Sequence, residues 1–406
     1  MSIDSNVPEL RFKGFSGEWV ENYLGGLIDI RSAARVHKNQ WTKSGIPFYR
    51  TSDVVSIYKG QDNTKAYISN EVYQDLSQKI GKVTKDDLLI TGGGSIGIPY
   101  LIPNDDPLYF KDADLLWLKN NKKFDGYFLY TFFFSKPFKK YIKSISHIGT
   151  IAHYTIEQSK ATPINTCDDE EQTQIGNTFE KLDSLINQHK QKHGKLRNIK
   201  TAMLEKMFPK EGETIPEIRF NGFSGEWEEK ELRQTAAYRN GKAHEQSIDP
   251  KGHYIVVNSK FVSTDGSVKK YAKEQIAPLV INEICFVLSD VPNGKAIART
   301  FLITKENLYT LNQRIAGITP NENTHHYFLY ILLNRNPYFL QFDDGAKQTN
   351  LSVSDVESFT SLYPSLEEQT AISNYFQKLD TLINQHQQQI TKLNNIKQAC
   401  LRKMFV

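Results

Sequence analysis

Cysteine and long apolar runs are both scarce in this sequence. The chain of 406 residues has three cysteines, Cys167, Cys285 and Cys400, which stand far apart with no Cys-x-x-Cys pair. A disulfide framework or structural zinc site is therefore not expected, and a reducing, cytoplasmic setting fits best. Because no run of 18 apolar residues occurs and the first residues lack a secretion signal, we expect no membrane partner.

Neither sign of charge dominates. The 50 lysines and arginines exceed the 46 aspartates and glutamates by a formal net charge of +4. So small an excess excludes an acidic mimic of DNA, and it permits nucleic-acid binding without requiring it. Aromatic residues, at 12% of the chain, are frequent enough to fill more than one hydrophobic core.

What the sequence does have is repetition. Residues 8–19 read PELRFKGFSGEW and residues 216–227 read PEIRFNGFSGEW, with ten of twelve positions identical. We call these the GFSGEW segments. Residues 170–208 and 367–405 align at an offset of 197, with 26 of 39 positions identical. The chain therefore carries the same frame twice.

The longer repeat predicts a long helix in each half. Its apolar residues recur in steps of mostly four and three, which is the pattern of a heptad seam. Asp168 with Glu171, and Ser365 with Glu368, have the spacing of an N-cap residue and the third residue of a helix. At ~1.5 Å per residue the helices are rods of about 60 Å, whose seams are expected to bury each other.

His189 and His386 occupy matching positions on this seam. They could form a metal or proton site between the helices, or they could be polar residues that fix the register. The second interpretation is favoured because Ile390 replaces His193 and no Asp, Glu or Cys lies on the seam nearby. We therefore predict no metal site.

The inserts between the repeats, residues 20–167 and 228–364, share no comparable similarity. Both predict mixed α and β structure, with strands in roughly the same order, among them IPFYRTSDVV and HYIVVNSKFV. Each insert ends in an aromatic-rich helical stretch, GYFLYTFFFSKPFKKYI or HHYFLYILLNRNPYFL. A repeated frame around diverged inserts indicates one scaffold with two different recognition surfaces.

No motif for catalysis is convincing. Gly92–Gly94 and Gly97 follow an apolar strand, but the Gly-Lys-Ser/Thr ending of a phosphate-binding loop is missing, so a β-turn is expected. Asn336-Pro337-Tyr338-Phe339 has one proline fewer than the adenine methyltransferase motif and predicts a helix break. Nuclease and nucleophile-elbow motifs are also missing. The chain is therefore expected to be non-catalytic and to hold no cofactor.

Basic and polar residues are better placed for binding. Lys and Arg neutralise phosphates, and Arg, Asn and Gln can read base edges. The polar runs Arg50-Thr51-Ser52 and Asn258-Ser259-Lys260 lie at comparable predicted strand ends in the two inserts, which favours a shared role over ordinary solvated charge. Further basic candidates in the two inserts are Arg31, Arg35, Arg239 and Lys242.

Together these features resemble the specificity subunit of type I restriction–modification enzymes, over essentially the whole chain. The specific marks are the two GFSGEW segments and the two helices reading EEQTxI…KLDxLINQH…MF, and weaker marks are YRTSDV, DLLITGGGSIG and LNQRI. The resemblance implies an α+β fold in which two mixed α/β target recognition domains are separated by two long helices. These helices form an antiparallel coiled coil within a pseudo-twofold internal repeat.

The resemblance also implies a function and partners. Each target recognition domain would read one half of a bipartite site in double-stranded DNA, with the helices setting the gap. Two methyltransferase subunits would carry S-adenosylmethionine, and nuclease–translocase subunits would bring ATP and Mg, for adenine methylation or restriction. On this basis DNA contacts are expected at Arg50, Thr51, Ser52, Asn258, Ser259 and Lys260, with Gln313 and Arg314 as further contacts.

The repeats and the resemblance together predict the domain limits. These are an N-terminal frame segment at 1–19, target recognition domain 1 at 20–167, the central long helix at 168–208, a linker at 209–215, target recognition domain 2 at 216–365 with the repeated frame segment at 216–227, and the C-terminal long helix at 366–406.

Two other functions remain open at this point. A self-contained methyltransferase or nuclease would turn over S-adenosylmethionine or cut DNA as the purified chain alone. A coiled-coil scaffold that binds only protein would keep its function after charge reversal at Arg50 and Lys260, whereas a DNA-recognition subunit would lose DNA affinity. The sequence also leaves open whether the system restricts DNA or only methylates it.

Overall fold

The computed structural model describes residues 6–145 and 153–406. The chain divides into two compact units: unit 1 comprises Met1–Gln191 with His386–Val406, and unit 2 comprises Lys192–Gln385. Each unit therefore takes residues from both copies of the long repeat. Within the described ranges, none of the helices combines the length and the apolar composition needed to cross a bilayer.

Short strands and helices precede the first long helix. The strands are β1 (Val20–Tyr23), β2 (Asp29–Ser32), β3 (Trp41–Thr42), β4 (Ile46–Tyr49), β5 (Ala66–Ile68), β6 (Leu88–Thr91), β7 (Pro99–Leu101), β8 (Tyr109–Phe110), β9 (Leu115–Lys119) and β10 (Pro163–Thr166). The helices are α1 (Leu24–Leu27), α2 (Thr51–Lys59), α3 (Asn70–Ile80), α4 (Gly126–Phe132), α5 (Lys136–Ile145), α6 (Ile156–Lys160) and the long helix α7 (Asp169–Lys206). A 3-10 turn covers Lys38–Gln40.

The second half follows the same plan. Its strands are β11 (Glu228–Glu231), β12 (Ala236–Asn240), β13 (Tyr254–Val257), β14 (Tyr271–Ala272), β15 (Ile284–Val287), β16 (Ser289–Asp290), β17 (Thr300–Leu302), β18 (Tyr309–Leu311), β19 (Ile315–Pro320), β20 (Thr349–Asn350) and β21 (Thr360–Tyr363). Its helices are α8 (Leu232–Thr235), α9 (Ser259–Ser263), α10 (His326–Leu333), α11 (Pro337–Leu340), α12 (Val353–Glu357) and the long helix α13 (Leu366–Lys403).

The two units share one sheet topology although their sequences have diverged. A four-stranded antiparallel sheet has the order β2-β9-β6-β7 in unit 1 and β12-β19-β15-β17 in unit 2. A second sheet contains β5-β4-β8 in unit 1 and β14-β13-β18 in unit 2. In this sheet the last two strands run parallel in both units. The predicted α+β fold with an internal repeat is confirmed.

Two of the predicted strands were wrong in their second half. IPFYRTSDVV is a strand only as far as Tyr49 and then becomes α2, and HYIVVNSKFV is a strand only as far as Val257 and then becomes α9. Capping is the cause. The Asn258 side chain accepts the N–H of Phe261 at 2.9 Å, and Asp53 accepts the N–H at the start of α2 at 2.8 Å. Such bonds satisfy free amides and begin a helix despite β-branched residues downstream.

The GFSGEW segment of unit 1 joins the two long helices. The Arg11 guanidinium donates two hydrogen bonds of 2.7 Å to the Glu171 carboxylate in the first turn of α7. The Trp19 indole donates to the same carboxylate at 3.2 Å. The Leu10 N–H donates to the carbonyl of Lys403, the last residue of α13, at 2.9 Å. One short segment therefore links the start of one long helix to the end of the other.

Unit 2 repeats this arrangement with the helices exchanged. Arg219 donates to Glu368 in the first turn of α13 at 2.7 and 2.6 Å, and the Ile218 N–H donates to the Lys206 carbonyl of α7 at 2.8 Å. In both segments the arginine also bonds a glycine carbonyl, that of Gly17 or Gly225. These glycines have φ of 82° and 83°, a left-handed conformation that suits glycine. The repeated sequence thus encodes a repeated clamp.

The predicted helix caps are confirmed in both copies. The Glu171 N–H donates to the Asp168 side chain at 2.8 Å, and the Glu368 N–H donates to the Ser365 hydroxyl at 3.3 Å. The side chains of Glu171 and Glu368 do not return to the cap, because each binds the arginine of a GFSGEW segment. The helix start is therefore fixed by local capping and by a distant segment together.

The long helices pack antiparallel within each unit. In unit 1 Asp183 pairs with Lys397 and His189 contacts His386, so residue numbers rise along α7 as they fall along α13. In each unit, seam residues of the two long helices pack in the main hydrophobic core. They pack there with the tryptophan of the GFSGEW segment and a phenylalanine of the aromatic helix, which is α4 in unit 1 and α10 in unit 2. These are Trp19, Phe128, Ile175, Phe179 and Met404 in unit 1, and Trp227, Phe328, Ile372, Phe376 and Met207 in unit 2.

We expect Glu171→Gln to lower the free energy of unfolding of unit 1 by about 3 kcal/mol, because it leaves the Arg11 charge without its partner. Glu171 is 1% exposed, so water cannot replace the lost carboxylate. Urea unfolding followed by tryptophan fluorescence measures the effect. Glu170→Gln, at the exposed neighbouring position, is the matched control and should change stability by less than about 0.5 kcal/mol. Equal stability of the two variants would contradict the clamp.

Candidate nucleic-acid interface

The predicted contact segments of unit 2 meet at one end of a parallel strand pair. β13 and β18 run side by side with Val257 opposite Leu311, and the N–H of the following residue, Asn312, donates to the Val257 carbonyl at 3.1 Å. The Lys242 N–H donates to the carbonyl of Leu311, the last residue of β18, at 3.0 Å, so Lys242 lies at the same end of the strand pair. We call this group the unit 2 edge, and it comprises Lys242, Asn258–Lys260 and Asn312–Arg314.

Unit 1 has an equivalent edge. β4 and β8 run parallel with Tyr49 opposite Phe110, and the Lys111 N–H donates to the Tyr49 carbonyl at 2.8 Å. The Thr51 hydroxyl donates to the Asp114 carbonyl at 3.2 Å. We call Arg50–Ser52 with Lys111–Asp114 the unit 1 edge. The two runs that the sequence singled out therefore occupy the same place in the fold.

A segment that sequence analysis did not assign to binding lies beside each edge, following β6 in unit 1 and β15 in unit 2. In unit 1 the Gly92 N–H donates at 2.8 Å to the Asp114 carbonyl, the same oxygen that accepts from Thr51. In unit 2 the Ser259 hydroxyl is 3.5 Å from the Ser289 carbonyl. The glycine cluster connects β6 to β7 as a turn, as predicted. The one signal in the sequence for this position is that the glycine cluster and Ser289 follow equivalent strands, β6 and β15.

Exposed cations line the unit 2 edge. Lys242, Lys260 and Arg314 are exposed, and among the described residues their side-chain nitrogens have no hydrogen bond or ion pair. The three other predicted groups at this edge are occupied: the Gln313 amide donates to Glu245 at 3.1 Å, the Ser259 hydroxyl donates to the Ser289 carbonyl, and the Asn258 side chain caps α9. Three positive groups are therefore free to approach a phosphate or a base edge.

Arg50 at the unit 1 edge is held within the protein. Its guanidinium donates to both carboxylate oxygens of Asp53, at 2.8 and 3.1 Å, and also bonds the Thr64 carbonyl. It lies 5.8 Å from the centre of the Trp41 ring. Hydrogen bonding to Asp53 raises the pKa of Arg50 above its ordinary value. The Ser52 hydroxyl is exposed and accepts from the Asn63 amide at 3.2 Å, so it is the more accessible group.

The other predicted arginines lie on or after equivalent outer strands. Arg31 on β2 pairs with Asp29 and donates to the Ile80 carbonyl at 3.3 Å. Arg239 on β12 donates to both oxygens of Glu283, at 2.6 and 2.9 Å, which raises the pKa of Arg239. Arg35 is exposed in the loop after β2. All three stay predicted contacts, and a phosphate would compete with Glu283 for Arg239.

The seam histidines contact each other directly. The Nδ1 atoms of His189 and His386 are 2.9 Å apart, a hydrogen bond that needs the proton on one ring and a lone pair on the other. Over residues 6–145 and 153–406, no group of three or more potential metal ligands comes together. The contact is of the kind that fixes the register of a helix pair.

The family comparison matches both halves of the chain. The sequence model described as "Type I restriction modification DNA specificity domain" matches residues 16–198 and 224–395. Each match contains one insert and most of the long helix that follows it. The internal repeat is therefore a repeat of this domain.

Two curated proteins are similar over part of their length. The Haemophilus influenzae protein named "Putative type I restriction enzyme specificity subunit" is 32% identical over 167 residues, which is 40% of this chain and 40% of that protein. The Methanocaldococcus jannaschii protein named "Putative type I restriction enzyme MjaX specificity subunit" is 26% identical over 195 residues, 44% of this chain and 45% of that protein. The alignments thus span less than half of the curated relatives.

Two solved structures share the fold over nearly the whole chain. The S subunit of a type I restriction–modification system from M. genitalium has a TM-score of 0.67 at 16% identity, covering 98% of this chain and 99% of that one. A chain from a structure titled for complex assembly and conformational transition of the type I R-M system has a TM-score of 0.51 at 15% identity, covering 94% and 96%. At these identities the likeness concerns the fold alone.

We expect Gly241→Ala to disturb the unit 2 edge. A Cβ at this position would lie 2.1 Å from the Asn312 carbonyl oxygen, so the segment after β12 that carries Lys242 must move away from Asn312 at a cost of about 1–3 kcal/mol. Thermal unfolding and amide exchange at Lys242 measure the change. Gly194→Ala is the control in the same unit: it meets nothing within 4 Å, and in a helix it should be neutral or stabilising by about 1 kcal/mol. Matching behaviour of the two variants would refute the close approach.

Proposed function

The chain belongs to the family of type I restriction modification DNA specificity domains, and we propose that it is the sequence-specific DNA-recognition subunit of a type I restriction–modification complex. Each target recognition domain reads one half of a bipartite site, and the long helices set the gap between the halves. The unit 1 edge and the unit 2 edge are the surfaces that approach the DNA.

The observation that carries this proposal is one fold edge built twice with different side chains. Main-chain bonds at the ends of parallel strands form both edges, as in Lys111 to Tyr49 and Asn312 to Val257. The side chains displayed there differ, Arg50-Thr51-Ser52 in one unit and Asn258-Ser259-Lys260 in the other. Since base sequence is read by side-chain groups, the same backbone can present two specificities.

Catalysis is proposed to reside in partner chains. Two methyltransferase subunits would bind S-adenosylmethionine and modify adenine, and nuclease–translocase subunits would use ATP and Mg for restriction. This chain would hold no cofactor and would act by positioning its partners on double-stranded DNA. The fold likeness to the S subunit from M. genitalium supports the architecture that this role needs.

The first test is a methylation map. The chain is co-expressed with its cognate methyltransferase subunit, and adenine methylation across the host genome is read by single-molecule sequencing. Two short specified blocks around a fixed unspecified gap are expected, because two different edges contact separate stretches of DNA. Assembly of the complex without new methylation would contradict a recognition role and favour a protein-binding scaffold. Turnover of S-adenosylmethionine by the purified chain alone would favour an enzyme.

Lys260→Gln and Arg314→Gln should each weaken DNA binding by the assembled complex. If the cation contacts a phosphate, the slope of log affinity against log salt falls by about 0.9 for each variant. If it contacts a base, discrimination at one position of the site falls by about 1–3 kcal/mol. Titration of labelled DNA at several salt concentrations separates the two cases.

Lys305→Gln is the matched control for these variants. It is exposed and precedes β18, so it lies at the opposite end of the strand from Arg314. The complex with Lys305→Gln should bind DNA with the same affinity, and the same slope of log affinity against log salt, as the complex with the unaltered chain. Charge reversal at Arg50 is unsuited to this test because it would also break the pair with Asp53. Unchanged binding by both Lys260→Gln and Arg314→Gln would remove the unit 2 edge from the proposal.

A further inference from the structure

One carboxylate in unit 1 connects three helices. Asp183 on α7 accepts a hydrogen bond of 2.9 Å from the Tyr127 hydroxyl on α4, and its other oxygen accepts from the Lys397 ammonium on α13. Asp183 and Lys397 are 19% and 17% exposed, so water competes weakly for either group. Burial, reinforced by the Asp183 charge, raises the pKa of Tyr127, so its hydroxyl keeps the proton that it donates.

Unit 2 contains the same arrangement with the helices exchanged. Asp380 on α13 accepts from the Tyr327 hydroxyl on α10 at 2.6 Å and from the Lys200 ammonium on α7 at 2.7 Å. Burial and the bond to Asp380 raise the pKa of Tyr327 as well. We call each set of three residues a Tyr–Asp–Lys contact.

The tyrosines are the informative members. The aspartates and lysines lie in the repeated helices, where 26 of 39 positions are identical at an offset of 197. Tyr127 and Tyr327 lie in the inserts, whose sequences have otherwise diverged, yet both stand in a Tyr-Phe-Leu-Tyr run and both donate to the equivalent aspartate of a long helix. Because this tyrosine is present in both inserts and bonds a long helix in both units, we assign it to the contact between insert and helix, which we call the joint.

A second polar bond accompanies each contact. The Gln172 side chain accepts from the N–H of Asp125, the cap of α4, at 3.3 Å, and the Gln369 side chain accepts from the N–H of His325, the cap of α10, at 2.9 Å. Gln172 and Asp183 lie eleven residues apart on α7, or about 16 Å along the helix. The aromatic helix is therefore held at two separate points on the long helix.

Apolar packing alone does not fix this joint. Phe128 packs against Trp19 and Phe405 with tilted rings in the core, and the hydrophobic effect that drives such packing is not directional. A cavity of about 780 Å³ lies beside the contact in unit 1 and is lined by Tyr127, Asp183 and Lys397 among others. The aromatic helix therefore has room to tilt if the polar bonds are lost.

We infer that the two Tyr–Asp–Lys contacts are positioning devices that fix each target recognition domain on the helix pair, and through it the gap of the bipartite site. Tyr127, Asp183 and Lys397 do this in unit 1, and their counterparts do it in unit 2. The inference rests on the proposed function. In this inference the gap length depends on two features: the length of the long helices, and the joint that holds each insert in one orientation on them.

The test compares Tyr127→Phe, which removes one hydroxyl, with the unaltered chain in the methylation map. Both half-site sequences should be unchanged, because the edges are untouched. Methylation at sites whose gap is one base pair longer or shorter should rise about tenfold relative to the unaltered chain, equivalent to about 1.4 kcal/mol. Tyr327→Phe should have the same effect through unit 2.

Tyr130→Phe is the matched control. Tyr130 lies one turn along α4 and also packs against Tyr127, but over the described residues its hydroxyl has no hydrogen bond. This variant should keep the original gap. Asp183→Ala combined with Tyr127→Phe should broaden the gap no further than Asp183→Ala alone, because the Tyr127 hydroxyl then has no side-chain acceptor at position 183.

Two outcomes would overturn the inference. If Tyr127→Phe lowers methylation at the original sites but leaves the gap distribution unchanged, the contact is merely structural. If it changes a half-site sequence instead of the gap, the contact acts on the edge. Failure of the proposed function looks different, because the unaltered chain would then give no bipartite motif in the same experiment.

Discussion

The buried pair between Arg11 and Glu171, with its copy between Arg219 and Glu368, is the contact on which the rest of the structure depends. The Glu171 and Glu368 carboxylates are 1–2% exposed. Removing the paired arginine would leave a buried unpaired charge and lower the stability by several kcal/mol. The same segment bonds the end of the opposite helix and leads directly into β1 or β11. The segment that carries the arginine of this ion pair thus connects a helix start, a helix end and the first strand of an insert. This explains why the GFSGEW segments are kept while the inserts are not.

Local signals in the sequence predict the frame well and the joints poorly. The caps at Asp168 and Ser365 act over three residues, and the heptad seam is periodic, so both can be read from the chain directly. Glu171 bonds Arg11, 160 residues away, and Asp183 bonds Tyr127, 56 residues away. The sequence around Glu171 and Asp183 gives no indication of these partners. The strand predictions failed where the Asp53 side chain accepts the Arg50 N–H or the Asn258 side chain caps α9, because these bonds begin a helix despite the β-propensity of the residues that follow.

Charge alone is a poor guide to the candidate interface. Arg50 and Arg239 looked as suitable as Lys260 from the sequence, but Asp53 and Glu283 neutralise them within the protein. A positive group that already holds a fold together has to give up one partner to gain another. The recurrence of the two polar runs was the better signal, because equivalent positions after parallel strands are set by the backbone and not by the side chains.

The composition of unit 1 also has a consequence for the order in which the chain is made. Unit 2 is continuous from Lys192 to Gln385, whereas the core of unit 1 includes Leu401, Met404 and Phe405. Domains commonly fold from the amino terminus onwards during synthesis, but here all residues of unit 2 are synthesised before the last residues of unit 1. We therefore expect unit 2 to fold first, and unit 1 to fold only after His386–Val406 have emerged from the ribosome. A truncation at the carboxyl end would therefore damage the half of the molecule that was synthesised first.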